Sequence, residues 1–426
     1  MKYLAAALIL AFAVGIAILP SPEPAQHESQ PATAVPPISV CPIVEVGGRS
    51  TNVAVLSSVN GLGRLTTFAA GGETGSLEFR TGGSGSVVVP AVDAGAIGVS
   101  GGLVELPSDA TAAGVLVNSP DSMASESCAD IPTSQAALTG GSTASGSAFE
   151  LQLLNPYAGE ATLEVTVTTD AGIESDSRFD SVIVPPLTSL TLDLTTIIPG
   201  RESIGVDVET TRGSVLVFGR QTIGSETAIW RAVAPGQDWW LPVPGGADPK
   251  QLLISSVGSG DVEYQVDLYG PEGLQEAFET GVLGSRGQAR IPLDEVTTTA
   301  AAFRIIATGP VVADLWMQSE TGLAATSASP VDAPVWLLPG AAGPAGGSGS
   351  AVVLNSGLEE VTVTLRSLTD QSLTRDFTLP SERVLSVDLV AANGYRIEST
   401  GPIVAMWTSQ LGAARTAALG VPIQDG

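Results

Sequence analysis

The stretch TGPVVADLW, Thr308 to Trp316, returns as TGPIVAMW, Thr400 to Trp407. Both phrases follow alternating strand-like runs, and a variant without the Gly-Pro pair, TTRGSVLVFGR, occupies 210–220. Working outward, each copy is preceded by the same series of elements. LLNPYAGEATLEVTV (153–167), ISSVGSGDVEYQVDL (254–268) and VLNSGLEEVTVTL (353–365) each pair a turn with an alternating strand. VPPLTSLTLDL, GSRGQARIPLDEV and LPSERVLSVDLV then give a Pro or Gly turn and a strand reaching Asp193, Asp294 and Asp388. One order of elements written three times is the mark of a repeat protein.

Within a repeat the period is two. Phe149, Leu151 and Leu153 share one face, and Leu163, Val165 and Val167 share another, with Glu164, Thr166 and Thr168 opposite. Half-buried strands have this pattern. Six or seven such strands in under a hundred residues, separated by Pro, Gly, Asp and Ser turns, is the rhythm of a β-sandwich.

WWLPVPGG at Trp239 and VWLLPGAAG at Val335 open the third and fourth repeats. The division expected is 1–20 a signal-anchor or cleaved signal peptide, 21–39 a Pro-rich linker, and β-sandwich modules at 40–132, 133–235, 236–333 and 334–426, the first a degenerate copy. The fold class expected is therefore all-β: tandem immunoglobulin- or fibronectin-like sandwiches after an N-terminal transmembrane or signal helix. Short connections predict neighbours in contact along a semi-rigid rod. Independent cores predict that deleting 335–426 leaves the rest folded.

Composition fits this reading. A chain of 426 residues exceeds one ordinary core, and 44% apolar with 15% charged residues permits folding. The net charge of −26 comes from scattered carboxylates and sparse cations, which argues against nucleic acid and anionic lipid as partners, because both need Lys/Arg clusters. Lys2 precedes an apolar run from Leu4 to Leu19, just long enough to span a bilayer, and the single flanking charge places the body outside the cytoplasm. The run is expected to bind the membrane. PSPEPAQHESQPATAVPP (20–37) then reads as an extended spacer. Cys41 and Cys128 flank the first repeat, and in an oxidising compartment they are expected to form a disulfide. Closing a loop of that length stabilises by about 4 kcal/mol on the chain-entropy model.

At LNPYAGEATLEVTV…IVPPLTSLTLDL…VETTRGSVLVFGR the second repeat resembles a module common in bacterial surface proteins: an Asn-Pro turn, an alternating strand, a Val-Pro-x-x-Ser/Thr turn and a closing Pro-Ile-Val-Ala strand. With its apolar leader, Pro-rich spacer and Cys-Pro start, the whole chain looks like a family of exported actinobacterial proteins of unknown function. The resemblance implies fold and location, and no catalytic residue. The second repeat departs from it in lacking the Gly-Pro form, and the third in lacking the Asn before its turn.

Chemistry-bearing constellations are few. His27, the single histidine, lies in the spacer, which removes hydrolases with a His base and His-ligated metals. GGSGS at 82–86 and 346–350 lacks the second Gly of a nucleophile elbow and reads as a turn. Lys250 is the one lysine beyond the N-terminus, limiting any Lys-Asn cross-link to a single place. Glu174, Asp176 and Asp180, or Asp261 and Glu263, have spacings for calcium but form no Asp-x-Asp-x-Asp-Gly loop, so a solvated turn is expected. Of the six tryptophans, most suit a sealed core, while Trp239 and Trp240 are candidates for stacking on a ligand if exposed. No cofactor, metal site or catalytic residue is expected. The function expected is a non-enzymatic, membrane-tethered scaffold or interaction protein of the cell envelope. The alternatives are a carbohydrate- or cell-wall-binding protein and a carboxylate-dependent hydrolase, the last requiring two acids across a pocket.

Overall fold

In a computed structural model the described residues are 37–46, 49–57, 59–82, 85–91, 100–108, 111–118, 122–130, 132–319, 322–340, 347–370, 372–390, 394–412 and 414–423. The leader, most of the spacer with His27, and parts of both GGSGS turns lie outside them. Strands dominate, and the helix among these residues is the single turn Leu194–Ile197, capped by the Asp193 carboxylate on the Thr196 amide. None of the described helices is long and apolar enough to cross a membrane. Ile38 and Ser39, at the end of the stretch read as spacer, already pair with Glu105 and Val104.

Antiparallel ladders fall within four stretches, 38–127, 135–231, 236–327 and 333–423, referred to as the first to fourth repeats. Each holds two sheets of one design. Counting the main strands of a repeat from one to eight, one sheet has the order 1-6-3-4 and the other 5-2-7-8. In the first repeat these are Ile38–Pro42, Gly101–Glu105, Gly61–Ala69 and Gly72–Thr81, then Gly85–Pro90, Asn52–Ser57, Thr111–Asn118 and Met123–Ser127. This order differs from the ABED and CFG sheets of constant-type immunoglobulin domains. The first repeat, read from sequence as degenerate, carries the same order as the others.

The doubled phrase marks a corner. In the third and fourth repeats, strands six and seven fuse into Ala301–Ser319 and Gly394–Leu411. The first half of Ala301–Ser319 pairs with Gly236–Val243 and Val262–Gly270, and the second half with Lys250–Ser256 and Gly322–Ser327. Thr308-Gly309-Pro310 lies where the strand passes from one sheet to the other, and the register shifts there. Proline has no amide to donate and fits where the ladder is interrupted. Glycine is required by space: a Cβ on Gly309 would lie 2.8 Å from Val262 Cγ2, and one on Gly401 2.8 Å from Val361 Cγ1. Trp239 and Trp336 brace the two corners from inside, their indole Nε1 donating to the carbonyls of Val311 (3.1 Å) and Ile403 (2.8 Å).

A second device ties the turn after strand two. Asn155 Nδ2 donates to the carbonyls of Gly159, Val184 and Pro185, and Asn355 Nδ2 to those of Glu359, Leu379 and Pro380. The third and first repeats place serine there. Ser256 Oγ donates to the Gly284 carbonyl (2.9 Å), and Ser57 Oγ to that of Val59 (2.9 Å).

The repeats do not form a rod. Their last strands, Met123–Ser127, Glu226–Arg231, Gly322–Ser327 and Ala414–Leu419, pack each against the next, and the fourth packs back on the first. Residues 36–426 thereby make one compact unit closed into a ring. Apolar clusters cross every seam. Val40 and Phe68 meet Leu154 and Phe218, Ala137 meets Val257 and Val312, the cores of the third and fourth repeats are continuous, and Leu56 and Ala112 meet Val335 and Leu337. The first repeat keeps a core cluster of its own, but removing 335–426 would uncover apolar surface on both neighbours.

Candidate functional site

Two places concentrate polar chemistry: the inner strands around which the ring closes, and a cavity on the seam between the third and fourth repeats.

The inner strands are MASES, ETAIWR, GLAATS and ARTAAL, three of them rich in Ala, Ser and Thr. Their backbones are anchored alike: the amides of Cys128, Ala232, Ala328 and Gly420 donate to the carbonyls of Ala113, Val217, Ala313 and Ala405. From this register the seams can be compared. The Arg231 amide donates to Glu126 Oε2 (3.1 Å) between the first and second repeats; the corresponding Leu419 amide donates to Thr326 Oγ1 (3.1 Å) between the third and fourth. Ser127 Oγ donates to the Leu419 carbonyl (2.5 Å), and Ser327 Oγ to that of Arg231 (2.6 Å). The pattern repeats on exchanging the first pair of repeats with the second.

Two carboxylates are sealed in this region. Glu126 is fully buried, and loss of solvent pushes its carboxyl up to about 7 against the lowering effect of Arg231 and the amides of Ser127 and Arg231. Asp314 sits in Ala301–Ser319, accepts from the Thr139 amide of the second repeat (2.6 Å), and is likewise pushed up to about 7 by desolvation. Its Oδ1 is buried without a partner.

The cavity, about 300 Å³, is walled by both the third and fourth repeats. Lys250 opens the strand Lys250–Ser256, its own amide held by Asp294 Oδ1 (2.7 Å). Its side chain turns back to donate from Nζ to the carbonyls of Gly246 (2.8 Å) and Asp248 (3.1 Å), which occupies it without an asparagine partner. Burial lowers its pKa. Arg415 enters from the fourth repeat and pairs with Asp248. On the other side stand Asp388, Ser386 and the bonded hydroxyls of Ser350 and Thr408 (2.8 Å). A shallower hollow shares Gln318 and Ser319 with this cavity and reaches Trp316 and Gln251.

The residues singled out from sequence are distributed differently. Cys41 and Cys128 form a disulfide in the core of the first repeat. Trp239 is wholly buried at its corner, and Trp240, 8% exposed, is covered by the Arg304 guanidinium, 4.7 Å from the ring centroid and itself held by Asp238 at 2.9 and 2.6 Å. Neither ring offers a face to a ligand: the core encloses Trp239, and on Trp240 the cation takes the position a sugar would occupy. Asp176 is held by Arg178 and Glu174 by Arg201, and among the described residues no three His, Cys, Asp or Glu side chains group to hold a metal. Lys250 stood out in the sequence for its solitude. Arg415, Glu126 and Asp314 carried no motif; for the first two, the Ala- and Ser-rich inner strands that hold them were the available signal.

A search of the curated proteins finds no match. Among solved structures, the tetra-tandem repeat in the extending region of a large adhesion protein aligns at 10% identity over 91% of this chain and 99% of that one, with a TM-score of 0.12. The Streptomyces avermitilis α-L-rhamnosidase complexed with L-rhamnose aligns at 10% identity over 82% and 54%, also at 0.12. Superpositions of that quality carry no argument about fold or activity. Residues 111–390 match the model of a family of unknown function, DUF5719, and with that span covered the chain belongs to this family.

Proposed function

We propose that the protein is a non-enzymatic interaction module of the cell envelope, held outside the cytoplasm by its N-terminal apolar segment and displaying a rigid ring. The observation that carries this reading is the Cys41–Cys128 disulfide inside a ring whose seams are all packed. Such a bond persists in oxidising compartments, and a pre-formed platform binds without the entropic cost of ordering itself. The ring replaces the rod in this reading: the four sandwich-like repeats present one continuous surface. Proximity labelling on intact cells tests it. Enrichment of envelope proteins is the expected result; labelling confined to cytoplasmic proteins, or free thiols at both cysteines in non-reduced mass spectrometry, sinks it.

A second reading, glycan recognition in the envelope, is favoured by the hydroxyl-lined cavity at the seam of the third and fourth repeats. Glycan-array binding by the full-length protein is its test, and an array without signal removes it.

A further inference from the structure

We propose that the cavity between the third and fourth repeats binds an acidic sugar, a polyhydroxylated unit carrying one carboxylate. This rests on the glycan reading above and specifies its ligand.

Lys250 supplies the first step. It is 2% exposed, and among the described residues no carboxylate approaches its Nζ within 4.0 Å. A buried ammonium held by two carbonyls, with the Asp294 carboxylate on its own backbone amide acting only at a distance, is expensive, and two carbonyl acceptors leave one of its three protons unassigned. Arg415 brings a second cation to the same cavity. One arm of its guanidinium is on Asp248, while its Nε is buried without a partner. Two cations, one with an unanswered N–H and one with a proton to spare, therefore line one small space, and a carboxylate answers both.

The opposite wall speaks against a bare anion. Asp388 would repel it, and Asp388 with Ser386 offers acceptors and a hydroxyl suited to ligand OH groups. A neutral sugar would satisfy that wall but leave the cationic one unmet. A ligand with both functions meets both, and the volume lies at the lower end of small-molecule pockets.

The ring itself supplies a control. Counting six residues back from Ser57 and Ser256, which pair with Thr111 and Val311 in the same register, places Thr51 where the third repeat has Lys250. The inner-strand register places Thr227 where the fourth has Arg415. The seam between the first and second repeats is thus built with threonines at both positions. Closing the ring does not require the cations.

Isothermal titration of the full-length protein with D-glucuronate, D-glucose and acetate tests the proposal. Glucuronate should bind at least about tenfold more tightly than either, as expected for charge-assisted hydrogen bonds. Arg415→Gln and Asp388→Asn should each weaken it by about tenfold or more, with Thr227→Val unchanged. Lys250→Met should abolish binding; if it melts early, the Arg415 and Asp388 variants decide. Glucose binding as well as glucuronate, or acetate binding as well, overturns the proposal. Neutral glycans bound on the array without glucuronate binding overturn it while leaving the glycan reading intact, whereas silence from both removes the two together.

Discussion

The seam between the first and second repeats and the seam between the third and fourth solve one problem with different chemistry. Each must find an acceptor for a buried amide at the ring's inner strands, and one uses the Glu126 carboxylate where the other uses the Thr326 hydroxyl. The remaining seams differ in the same sense. Between the second and third repeats Asp314 accepts the Thr139 amide, while between the fourth and first the corresponding contact is Pro339 against Gly114, where a Cβ would lie 2.6 Å from the proline Cγ. A proline needs no acceptor, so at this point that seam carries no ionisable group. Ring closure thus fixes where the backbones meet and leaves the chemistry of each meeting free, with ionisable groups on two seams and neutral contacts at the equivalent points of the others.

This contrast can be broken in graded ways. The largest effect should come from deleting 334–426, which removes two seams at once and leaves the apolar faces around Leu56 and Leu241 uncovered. We expect loss of the cooperative melt, and an intact melt for the remaining three repeats would show that closure contributes nothing. Next is pH. Glu126 and Asp314 both titrate near 7 in the folded state and near 4 when unfolded, so the native protein holds more protons between those values. Stability is then greatest below about pH 4 as far as these groups are concerned, falls as pH rises to 7, and levels off above it, by about 3 kcal/mol for Glu126 and about 4 kcal/mol for Asp314. Chemical denaturation at a series of pH values should show the slope. Asp314→Asn keeps the acceptor for Thr139 and should remove about half of it.

Smaller effects separate the paired seams. Glu126→Ala, measured at pH 5, orphans the Arg231 and Ser127 amides and should cost about 2–3 kcal/mol, against about 1 kcal/mol for Thr326→Ala, which orphans one. Equal costs would deny the carboxylate its second role. The smallest change compares the turns: Asn155→Ser imports the solution used by the first and third repeats and should lower stability by about 1 kcal/mol, since serine replaces only part of the asparagine's bonding.

The repeat and its strands were readable because the corner phrase and the period-two faces are local. What the two tryptophans of that phrase do was not. Counting from the proline, Trp316 falls one place later than Trp407, and a shift of one turns a strand side chain to the other face. Trp407 accordingly fills the continuous core of the third and fourth repeats, whereas Trp316 packs edge-on to Trp230 across the seam with the second. Closure left a fainter trace. Strands such as MASES and GLAATS have no polar face because neighbours cover both sides, and alternation, the signal used to find strands, is absent where it would have revealed the ring. The three strand-ending aspartates, legible as a set, have separate duties: Asp193 caps a helical turn, Asp294 holds the Lys250 amide and Asp388 borders the cavity.

Because the fourth repeat abuts the first, this architecture has no growing end. An open solenoid can gain or lose a copy by unequal recombination and still cap itself. Here a fifth copy would have no gap to enter and a missing one would leave a breach, so diversification within such a family is channelled into the side chains at each joint and away from the number of joints.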